Sequence, residues 1–461
     1  MRAAVAAGHP ATTAAGIEIL EDGGSAADAA VAAVLASCVA ETVMTGLLGG
    51  GHAIYFDAAS GRTRNLDCFV AVPGLGEDRR DVELLHLEVL FGVELVHYAV
   101  GPASCGVPGL PAGLELLWRE HGQLPWGRVV EPALRLARDG VDFPAAHAAC
   151  LAMLAPVMTM NEGARIYSPD GQLLEPGSRL EQPGLVRALE ALAAEGAGSA
   201  YRGSIAEALL ALCADRGGVV TRLDLEHYEA SWSEPVPSTY LDLGLLTRGG
   251  LSGLPETLLR LPRLRGLDEV DRVLTLVEVL EAPSVGGGDT TNAAVVDDRG
   301  NACVFTTSLG LGSGDFLPGL DLHLNSMLGE VDLLQGRLDP GDRMQSMMAP
   351  TLAFDDDGLA LAAGAAGGTR LRTALLGVIA GILDEGLDPA VAVARPRFHP
   401  ALEVVNAEPG VDEAALVSLE ARGRAVRRWP GQHHYFGGVS VISRAGAAGD
   451  PRRNGAASTP R

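Results

Sequence analysis

Apolar residues first recur at helical spacing and later, after a run of glycines, in short strand-like stretches. Residues 29–39 are nearly all Ala, Val, Leu, Ser and Cys, and a helix that is apolar on every face is a buried one. Ser25 precedes this run and Asp28 follows three positions later, which is the spacing of a capping box. The pattern predicts a buried helix that begins at Ser25, after an earlier helix that ends at Gly23-Gly24.

The rest of the chain alternates between predicted helices and predicted strands. Apolar residues recur at helical spacing in four further places, at 132–139, within 183–213 on both sides of a turn at 201–203, at 268–281, and at 369–386 followed by 388–394. After the triple glycine at 286–288, runs at 293–296 and 302–307 flank a tight turn and predict a β-hairpin. Runs at 351–354 and 359–362 predict another strand pair. Such blocks predict sheet layers covered by helices, and the tail from Arg444 is expected to be only partly ordered.

Composition narrows the classes of function. The 461 residues are 47% hydrophobic and 20% charged, which is enough apolar material for a large core. The formal net charge of −23 repels phosphate backbones, so neither nucleic acid nor an anionic membrane is an expected partner. The sequence contains no lysine, which excludes lysine Schiff bases and phosphate-loop lysines.

The cysteines and the N-terminus add further expectations. Six cysteines are dispersed without a C-x-x-C pair, so they are expected to be reduced, and no metal site is predicted. No cofactor is predicted either. The first residues lack an apolar stretch long enough for a secretory signal, and no run of eighteen apolar residues predicts a transmembrane helix. The default expectation is a cytoplasmic enzyme.

Thr290 is the candidate for chemistry because of its context. It follows the triple glycine and Asp289, and a hairpin strand begins directly after it. A threonine hydroxyl needs a base to become a nucleophile. If the chain is cut between Asp289 and Thr290, the new α-amino group, with an unperturbed pKa near ~8, supplies that base.

At these residues the sequence resembles the γ-glutamyltransferase family, from about Val5 to about Arg453. The order of many weak motifs carries the resemblance. They include Gly8-His9-Pro10, 23–32, 46–51, Gly106-Val107-Pro108-Gly109, Thr290-Thr291-Asn292, Thr306-Thr307-Ser308, Gly312-Ser313-Gly314, Leu324-Asn325, Gly367-Gly368 and Asp450-Pro451-Arg452.

The resemblance implies an α+β fold, the four-layer αββα sandwich of N-terminal-nucleophile hydrolases. It implies a precursor that cleaves itself into a large subunit, 1–289, and a small subunit, 290–461, which together form one domain. A further homodimer is left open. The implied activity is hydrolysis or transfer of a γ-glutamyl group from a small glutathione-like amide to water or an amine acceptor, by way of an acyl-enzyme.

The resemblance also assigns roles within the catalytic core. Thr290 is the nucleophile, and Ser308 stands where the family has a hydroxyl that hydrogen-bonds it. The backbone N–H groups of Gly367 and Gly368 are expected to form the oxyanion hole, because glycine permits close approach. The alternative interpretation of Ser308 is a strand-end hydroxyl, and outside the family match the two glycines would indicate a plain turn.

Three further residues are expected to bind substrate. Glu330 corresponds to the family's acidic residue for the substrate ammonium, although a solvated loop carboxylate is the alternative interpretation. Ser346 is the first member of the family's serine pair, whose second member is Met347 here. Asn325 lies in the matching Leu324-Asn325 motif.

The sequence departs from the family where the substrate α-carboxylate is held. Aligning Asp67 and Pro73 places Phe69 at the position of the family's arginine, and no arginine lies between them. Because a bidentate arginine is a large part of carboxylate recognition, phenylalanine cannot replace it. Arg343 and Arg370 are the candidates for a substitute.

Two other differences bear on function. Asn292 replaces a histidine, and the segment between Glu330 and Arg343, where several members carry a lid, is short. An open site favours hydrolysis over transfer. Two alternatives to γ-glutamyl transfer therefore stay open: an acylase for a non-glutamyl group such as glutaryl, and an uncleaved, inactive homologue that serves as a binding protein.

Overall fold

Two antiparallel sheets lie face to face between two layers of helices in a computed structural model of the chain. The structure describes residues 1–76, 82–91, 94–281, 290–401 and 403–461. The larger sheet has, in spatial order, β20 (Ala456–Ser458), β1 (Ala4–Ala7), β11 (Thr291–Val296), β12 (Ala302–Ser308), β2 (Gly50–Asp57), β3 (Arg62–Cys68) and β8 (Ser231–Ser233). The second has β19 (Gly446–Gly449), β18 (Gly438–Ser443), β14 (Gly358–Ala366), β13 (Thr351–Asp355), β10 (Leu243–Thr247) and β9 (Val236–Tyr240).

Smaller sheets and the helices complete the described elements. The small sheets are β15 (Phe398–Ala401) with β16 (Val404–Ala407) and β17 (Ala425–Arg428), β4 (Leu85–Phe91) with β5 (Glu94–Val100), and β6 (Val141–Asp142) with β7 (Arg179–Leu180). The helices are α1 (Pro10–Glu21), α2 (Ala26–Ala40), α3 (Leu110–His121), α4 (Trp126–Asp139), α5 (Ala145–Met158), α6 (Gly163–Tyr167), α7 (Pro183–Glu195), α8 (Gly198–Tyr201), α9 (Ser204–Arg216), α10 (Arg222–His227), α11 (Leu254–Arg260), α12 (Glu269–Leu280), α13 (Arg370–Leu383), α14 (Pro389–Ala394) and α15 (Glu413–Ala421). Within these ranges, no helix has both the length and the apolar character needed to cross a membrane.

The space between the two large sheets is filled by small and branched apolar side chains. Ile54 and Val304 of the larger sheet pack with Leu352, Ala362 and Ile442 of the second, and all five are essentially inaccessible to solvent. Apolar faces that alternate with outward-facing residues are what joins two sheets face to face. The inner two layers of the predicted αββα sandwich are therefore confirmed.

Helices cover the outer face of each sheet. Every residue of α2 is buried, and α2 packs on β11 and β12. The Ser25–Asp28 capping box is present at its start, as the sequence predicts, because each side chain accepts the other residue's backbone N–H. On the opposite side, α13 packs on β14 and β18. The four-layer α+β prediction is confirmed.

Strands from both predicted subunits share the larger sheet. β1 precedes the predicted cleavage position and pairs antiparallel with β11, which follows it, with Val5 opposite Val295. The hairpin predicted after the triple glycine is present, with Thr291 opposite Thr307 in β11 and β12. Residues 1–289 and 290–461 are therefore interleaved within one set of layers, while Asp289 itself lies outside the described residues.

The C-terminal segment is more ordered than the sequence suggests. From Arg444 onwards the chain forms β19 and β20, and β20 pairs with β1 at the edge of the larger sheet. Thr13 Oγ1 donates a hydrogen bond to the Ala456 carbonyl (3.0 Å), and Arg453 is 2% exposed. The expectation of partial order was wrong because strand pairing with distant residues, rather than local composition, orders this segment.

Candidate active site

Thr290 lies immediately before β11, in the middle of the larger sheet. It is 7% exposed, and its Oγ1 accepts a hydrogen bond from the Gly367 N–H at 2.7 Å. Thr290, Ser308 and Gly368 line the same cleft. The fold thus brings all four of the predicted catalytic residues to one place.

Gly367 and Gly368 form the turn between the end of β14 and the start of α13. Their φ angles are 123° and 56°, and the first of these is a conformation that residues with a side chain rarely adopt. A Cβ on Gly367 would also lie 2.8 Å from the Gly437 Cα atom. Backbone N–H groups at a helix N-terminus favour a developing negative charge. The turn is therefore built to hold an N–H donor against the Thr290 hydroxyl.

Ser308 ends β12, the strand that pairs with the nucleophile's strand. Its Oγ accepts a hydrogen bond from the Gly310 N–H at 2.8 Å, and the side chain is 2% exposed. This bond fixes the serine at the strand end, where it lines the cleft beside Thr290. Its predicted catalytic role stays a prediction.

The cleft beside Thr290 is lined mainly by apolar side chains. Six of its lining residues are apolar, namely Phe69, Met327, Leu333, Met347, Met348 and Leu371. Phe69 and four of these neighbours also belong to one buried apolar cluster. Glu330 is the one ionisable side chain among the lining residues that the structure describes, and no arginine is among them.

Phe69 occupies the cleft position for which the sequence alignment expects an arginine. Its N–H donates to Asp67 Oδ1 (3.0 Å), and its carbonyl accepts from Tyr228 Oη (2.6 Å) and Arg343 Nη1 (2.6 Å). Its ring stacks on buried His52, with centroids 5.4 Å apart. Burial lowers the pKa of His52 to about 3, helped by the nearby Arg248 charge. A neutral imidazole therefore packs against the Phe69 ring, and the hydrogen bonds to the Phe69 backbone fix this apolar wall in position.

Neither Arg343 nor Arg370 takes over the role of the missing arginine. Arg343 donates to the backbone carbonyls of Phe69 and Glu229, both at 2.6 Å. Arg370 Nε donates to the Tyr435 carbonyl at 3.0 Å. Neither side chain lines the cleft. The expectation that one of them substitutes is corrected, because both guanidinium groups are engaged by backbone oxygens elsewhere.

Two of the predicted substrate-binding residues do line the cleft. Glu330 is 3% exposed, and its carboxylate lies against the Cα of Gly310, where any side chain would collide with it. The absence of a side chain at Gly310 therefore leaves room for this acid. Ser346 Oγ accepts from the Met348 N–H (3.1 Å), and its carbonyl accepts from Arg248 Nη1 (3.0 Å). Substrate contact by either residue stays a prediction.

Asn325 does not line the cleft, which corrects its placement among the substrate-binding residues. The side chain is fully buried, and its Oδ1 accepts from the N–H groups of Gly106 (2.9 Å) and Met327 (3.2 Å). Its Nδ2 donates to the carbonyls of Leu48 and Gly106, both at 2.9 Å. These bonds tie three separate loops together and leave the amide no group to offer a ligand.

Asn292, which replaces a family histidine, also has a structural role. Its Oδ1 accepts from the Ser440 N–H (3.2 Å), and its Nδ2 donates to the Gly438 carbonyl (3.4 Å). Asn292 belongs to β11 and its partners to β18, so the side chain joins the two sheets close to the nucleophile.

Two buried charged residues next to Thr290 are missing from the sequence prediction. Arg453 Nη1 donates to the Thr290 carbonyl at 3.2 Å. Glu41 accepts hydrogen bonds from Thr12 Oγ1 (2.6 Å) and from Thr291 Oγ1. Glu41 could have been found from the sequence, because it is an acidic residue directly after a wholly apolar helix, where burial of a carboxylate is costly.

The remaining reactive side chains do not form a second centre in the parts of the chain that the structure describes. All six cysteines are buried and lie outside any disulfide. Among these residues, no group of three or more His, Cys, Asp or Glu side chains is arranged to hold a metal ion.

The layers and the site together define a class of protein. Two face-to-face antiparallel sheets between helices, with a threonine at the head of a central strand and a glycine N–H on its hydroxyl, are the architecture of an N-terminal-nucleophile hydrolase. The gamma-glutamyltranspeptidase family model matches residues 12–282 and 278–459, so the chain belongs to that family.

Curated relatives and solved structures agree with this assignment. The chain is 29% identical to the acylase ACY 1 proenzyme of Pseudomonas sp. (strain SE83), covering 96% of this chain and 90% of that protein. It is 24% identical to the glutathione hydrolase proenzyme of Bacillus subtilis (strain 168), covering 98% and 90%. The cephalosporin acylase from Bacillus halodurans superposes with a TM-score of 0.85 at 22% identity, covering 100% and 96%, which confirms the fold.

Proposed function

We propose that this chain is a precursor that cleaves itself between Asp289 and Thr290 and then hydrolyses amides through Thr290. The 2.7 Å hydrogen bond from the Gly367 N–H to Thr290 Oγ1 is the observation that supports this most directly. The proenzyme relatives support the cleavage step. The products would be the segments 1–289 and 290–461.

Amide hydrolysis then follows from the groups at the site. The free α-amino group of Thr290 accepts the hydroxyl proton while Oγ1 attacks the substrate carbonyl carbon. The Gly367 and Gly368 N–H groups stabilise the oxyanion. The C–N bond breaks, and the leaving amine takes the proton from the α-ammonium group. Water then attacks the ester with the same base, which releases the acid and regenerates Thr290.

The acyl group that best fits the cleft lacks an α-carboxylate. The wall at Phe69 is apolar, and Met347 and Met348 lie in the same lining. A carboxylate placed there loses its hydration without gaining a cationic partner, and such burial is costly. We therefore infer an acylase for an apolar or weakly polar acyl chain. The similarity to a protein named as an acylase supports the acylase part of this inference.

γ-Glutamyl transfer or hydrolysis is the second candidate, and Glu330 is the observation in its favour. Its buried carboxylate in the cleft lining has the sign needed to hold a substrate ammonium. A γ-glutamyl substrate also carries a carboxylate on the same carbon as its ammonium, and the described cleft lining contains no cationic side chain to bind it. Carboxylate and ammonium recognition can therefore be tested separately.

A four-member substrate set makes that separation. The four p-nitroanilides are γ-glutamyl, glutaryl (no ammonium), 4-aminobutanoyl (no carboxylate) and butanoyl (neither). We expect the two amides without a carboxylate to have at least tenfold higher kcat/KM than their carboxylate-bearing counterparts. If Glu330 binds an ammonium, 4-aminobutanoyl exceeds butanoyl. Faster turnover of γ-glutamyl than of the other three would overturn the acylase proposal in favour of the second candidate.

Two variants complete the test. Thr290→Ala should give a single uncut chain without amidase activity, as seen by intact mass and by release of p-nitroaniline. Phe69→Arg should raise kcat/KM for the glutaryl amide relative to the butanoyl amide. Phe69→Leu is the matched control, since it changes the shape of the wall without adding charge. A cut chain in the Thr290→Ala variant would refute the self-cleavage mechanism.

A further inference from the structure

Next to the nucleophile, outside the lining of the cleft, lies a buried carboxyl group that the proposed chemistry does not use. Glu41 follows the last turn of α2 and is fully buried. Its Oε1 accepts from Thr12 Oγ1 at 2.6 Å, and its Oε2 accepts from Thr291 Oγ1. Because Thr291 is the residue after the nucleophile, Glu41 is bonded to the first residue of the nucleophile's strand.

Arg453 approaches the same dipeptide from the C-terminal segment. Its Nη1 donates to the Thr290 carbonyl (3.2 Å) and contacts Met44 Sδ (3.2 Å). Its Nη2 would lie 3.4 Å from a Cβ placed on Gly367. The guanidinium therefore touches the nucleophile's own carbonyl and packs against the turn that holds the oxyanion-hole glycine.

Glu41 and Arg453 contact different groups of the Thr290–Thr291 dipeptide, the first the Thr291 hydroxyl and the second the Thr290 carbonyl. Burial raises the pKa of Glu41 to about 7, while the hydroxyls of Thr12 and Thr291 and the Arg453 charge oppose the rise. The Cys38 thiol is a further titratable neighbour, and its pKa is raised by burial and by Glu41. Burying an ionisable side chain costs stability, so a positional role accounts for the presence of Glu41 and Arg453 better than stability does.

We propose that Glu41 and Arg453 are positioning residues that hold Thr290 in place, Glu41 through the Thr291 hydroxyl and Arg453 through the Thr290 carbonyl. With the dipeptide fixed on both of these groups, the Thr290 hydroxyl is aimed at the Gly367 N–H. Small displacements of a reacting atom can lower a rate by about 10²-fold. The inference rests on the proposed acyl-enzyme at Thr290.

The test compares threonine variants that remove one buried hydroxyl each. Thr291→Val removes the link to Glu41 and keeps the β-branched shape of the side chain. Thr351→Val is the matched control, because Thr351 is also a buried strand residue. It lies in the second large sheet, where its hydroxyl donates a hydrogen bond to the Thr247 hydroxyl of the same sheet (3.0 Å). We expect Thr291→Val to lower kcat at least tenfold with KM within twofold, and Thr351→Val to leave both unchanged.

Glu41→Gln and the double variant show whether the effect passes through Thr291. Glu41→Gln should lower kcat by a similar factor, and Glu41→Gln combined with Thr291→Val should be no slower than the slower single variant. At Arg453, the Lys variant should retain more activity than the Met variant. Equal kcat for Thr291→Val and Thr351→Val, or fully multiplicative losses in the double variant, would overturn the positioning role. An uncut or inactive wild-type protein would instead refute the proposed function.

Discussion

Replacing Gly367 by alanine tests the oxyanion hole and the backbone geometry in one substitution. At φ 123° a Cβ is strongly disfavoured, and it would also lie 2.8 Å from the Gly437 Cα. Alanine therefore forces the peptide to rotate, which turns the N–H away from its position 2.7 Å from Thr290 Oγ1. Loss of one such donor typically costs about 2.7–4 kcal/mol of transition-state stabilisation, or about 10²–10³ in kcat.

The assay must separate this catalytic loss from a loss of folding. Strain at an unfavourable backbone angle costs about 1–3 kcal/mol of stability, which urea unfolding measures directly. Gly217→Ala is the matched control, since Gly217 also has a positive φ, 78°, and a Cβ there meets no atom within 4 Å. If Gly367→Ala also blocks self-cleavage, co-expression of residues 1–289 and 290–461 as separate segments allows amidase activity to be measured without that step.

Kinetic constants on the best anilide then decide the outcome. We expect Gly367→Ala to lower kcat by 10²–10³ with little change in KM, because the acyl-binding wall around Phe69 is untouched. Gly217→Ala should lose stability only. A folded Gly367→Ala protein that retains kcat within threefold of the wild type would refute the assignment of this N–H to the oxyanion hole.

Three further predictions concern stability. Asn325→Ala should lower the free energy of unfolding by at least about 3 kcal/mol, because it leaves buried backbone groups of three loops without partners; urea unfolding measures this, and a loss below 1 kcal/mol would contradict the structural role. Burial lowers the pKa values of His52, His323 and His399 to about 3. At these three groups the unfolded chain binds protons below pH 6.5 that the folded chain does not, whereas Glu41, with its pKa raised to about 7, acts in the opposite direction with one proton. The unfolding free energy should therefore fall by up to about 3 kcal/mol per pH unit below 6.5; a flat profile between pH 7 and 5 would be inconsistent with neutral buried imidazoles. Deletion of residues 455–461 removes β20 and should lower the midpoint of thermal unfolding by several degrees. An unchanged midpoint would show that the edge strand does not contribute to the stability of the fold.

Features set by neighbouring residues could be predicted from the sequence. The Ser25–Asp28 capping box depends on two residues three positions apart, and the hairpin of β11 and β12 depends on one tight turn. Both are present where the pattern places them. The two helices expected on either side of 201–203 are also present, with the short α8 added between them.

Features set by distant partners could not be predicted in this way. β20 is ordered by pairing with β1, and the amide of Asn325 is engaged by Leu48 and Gly106, more than two hundred residues away. The family motifs correctly brought Thr290 and the glycine turn together. They could not show that backbone carbonyls engage Arg343, since those oxygens approach only in the folded chain.

The pairing of β20 with β1 offers a way to study acyl transfer separately from self-cleavage. Ser458 lies opposite Val5 in this antiparallel pair, so strands near the two ends of the sequence are adjacent in space. A short linker could join them, and the circularised order could be reopened ahead of Thr290. Such a permuted gene would encode a protein that begins with the threonine once its initiator methionine is removed. Its free amine would exist from synthesis onward, so acyl transfer could be studied without any maturation step.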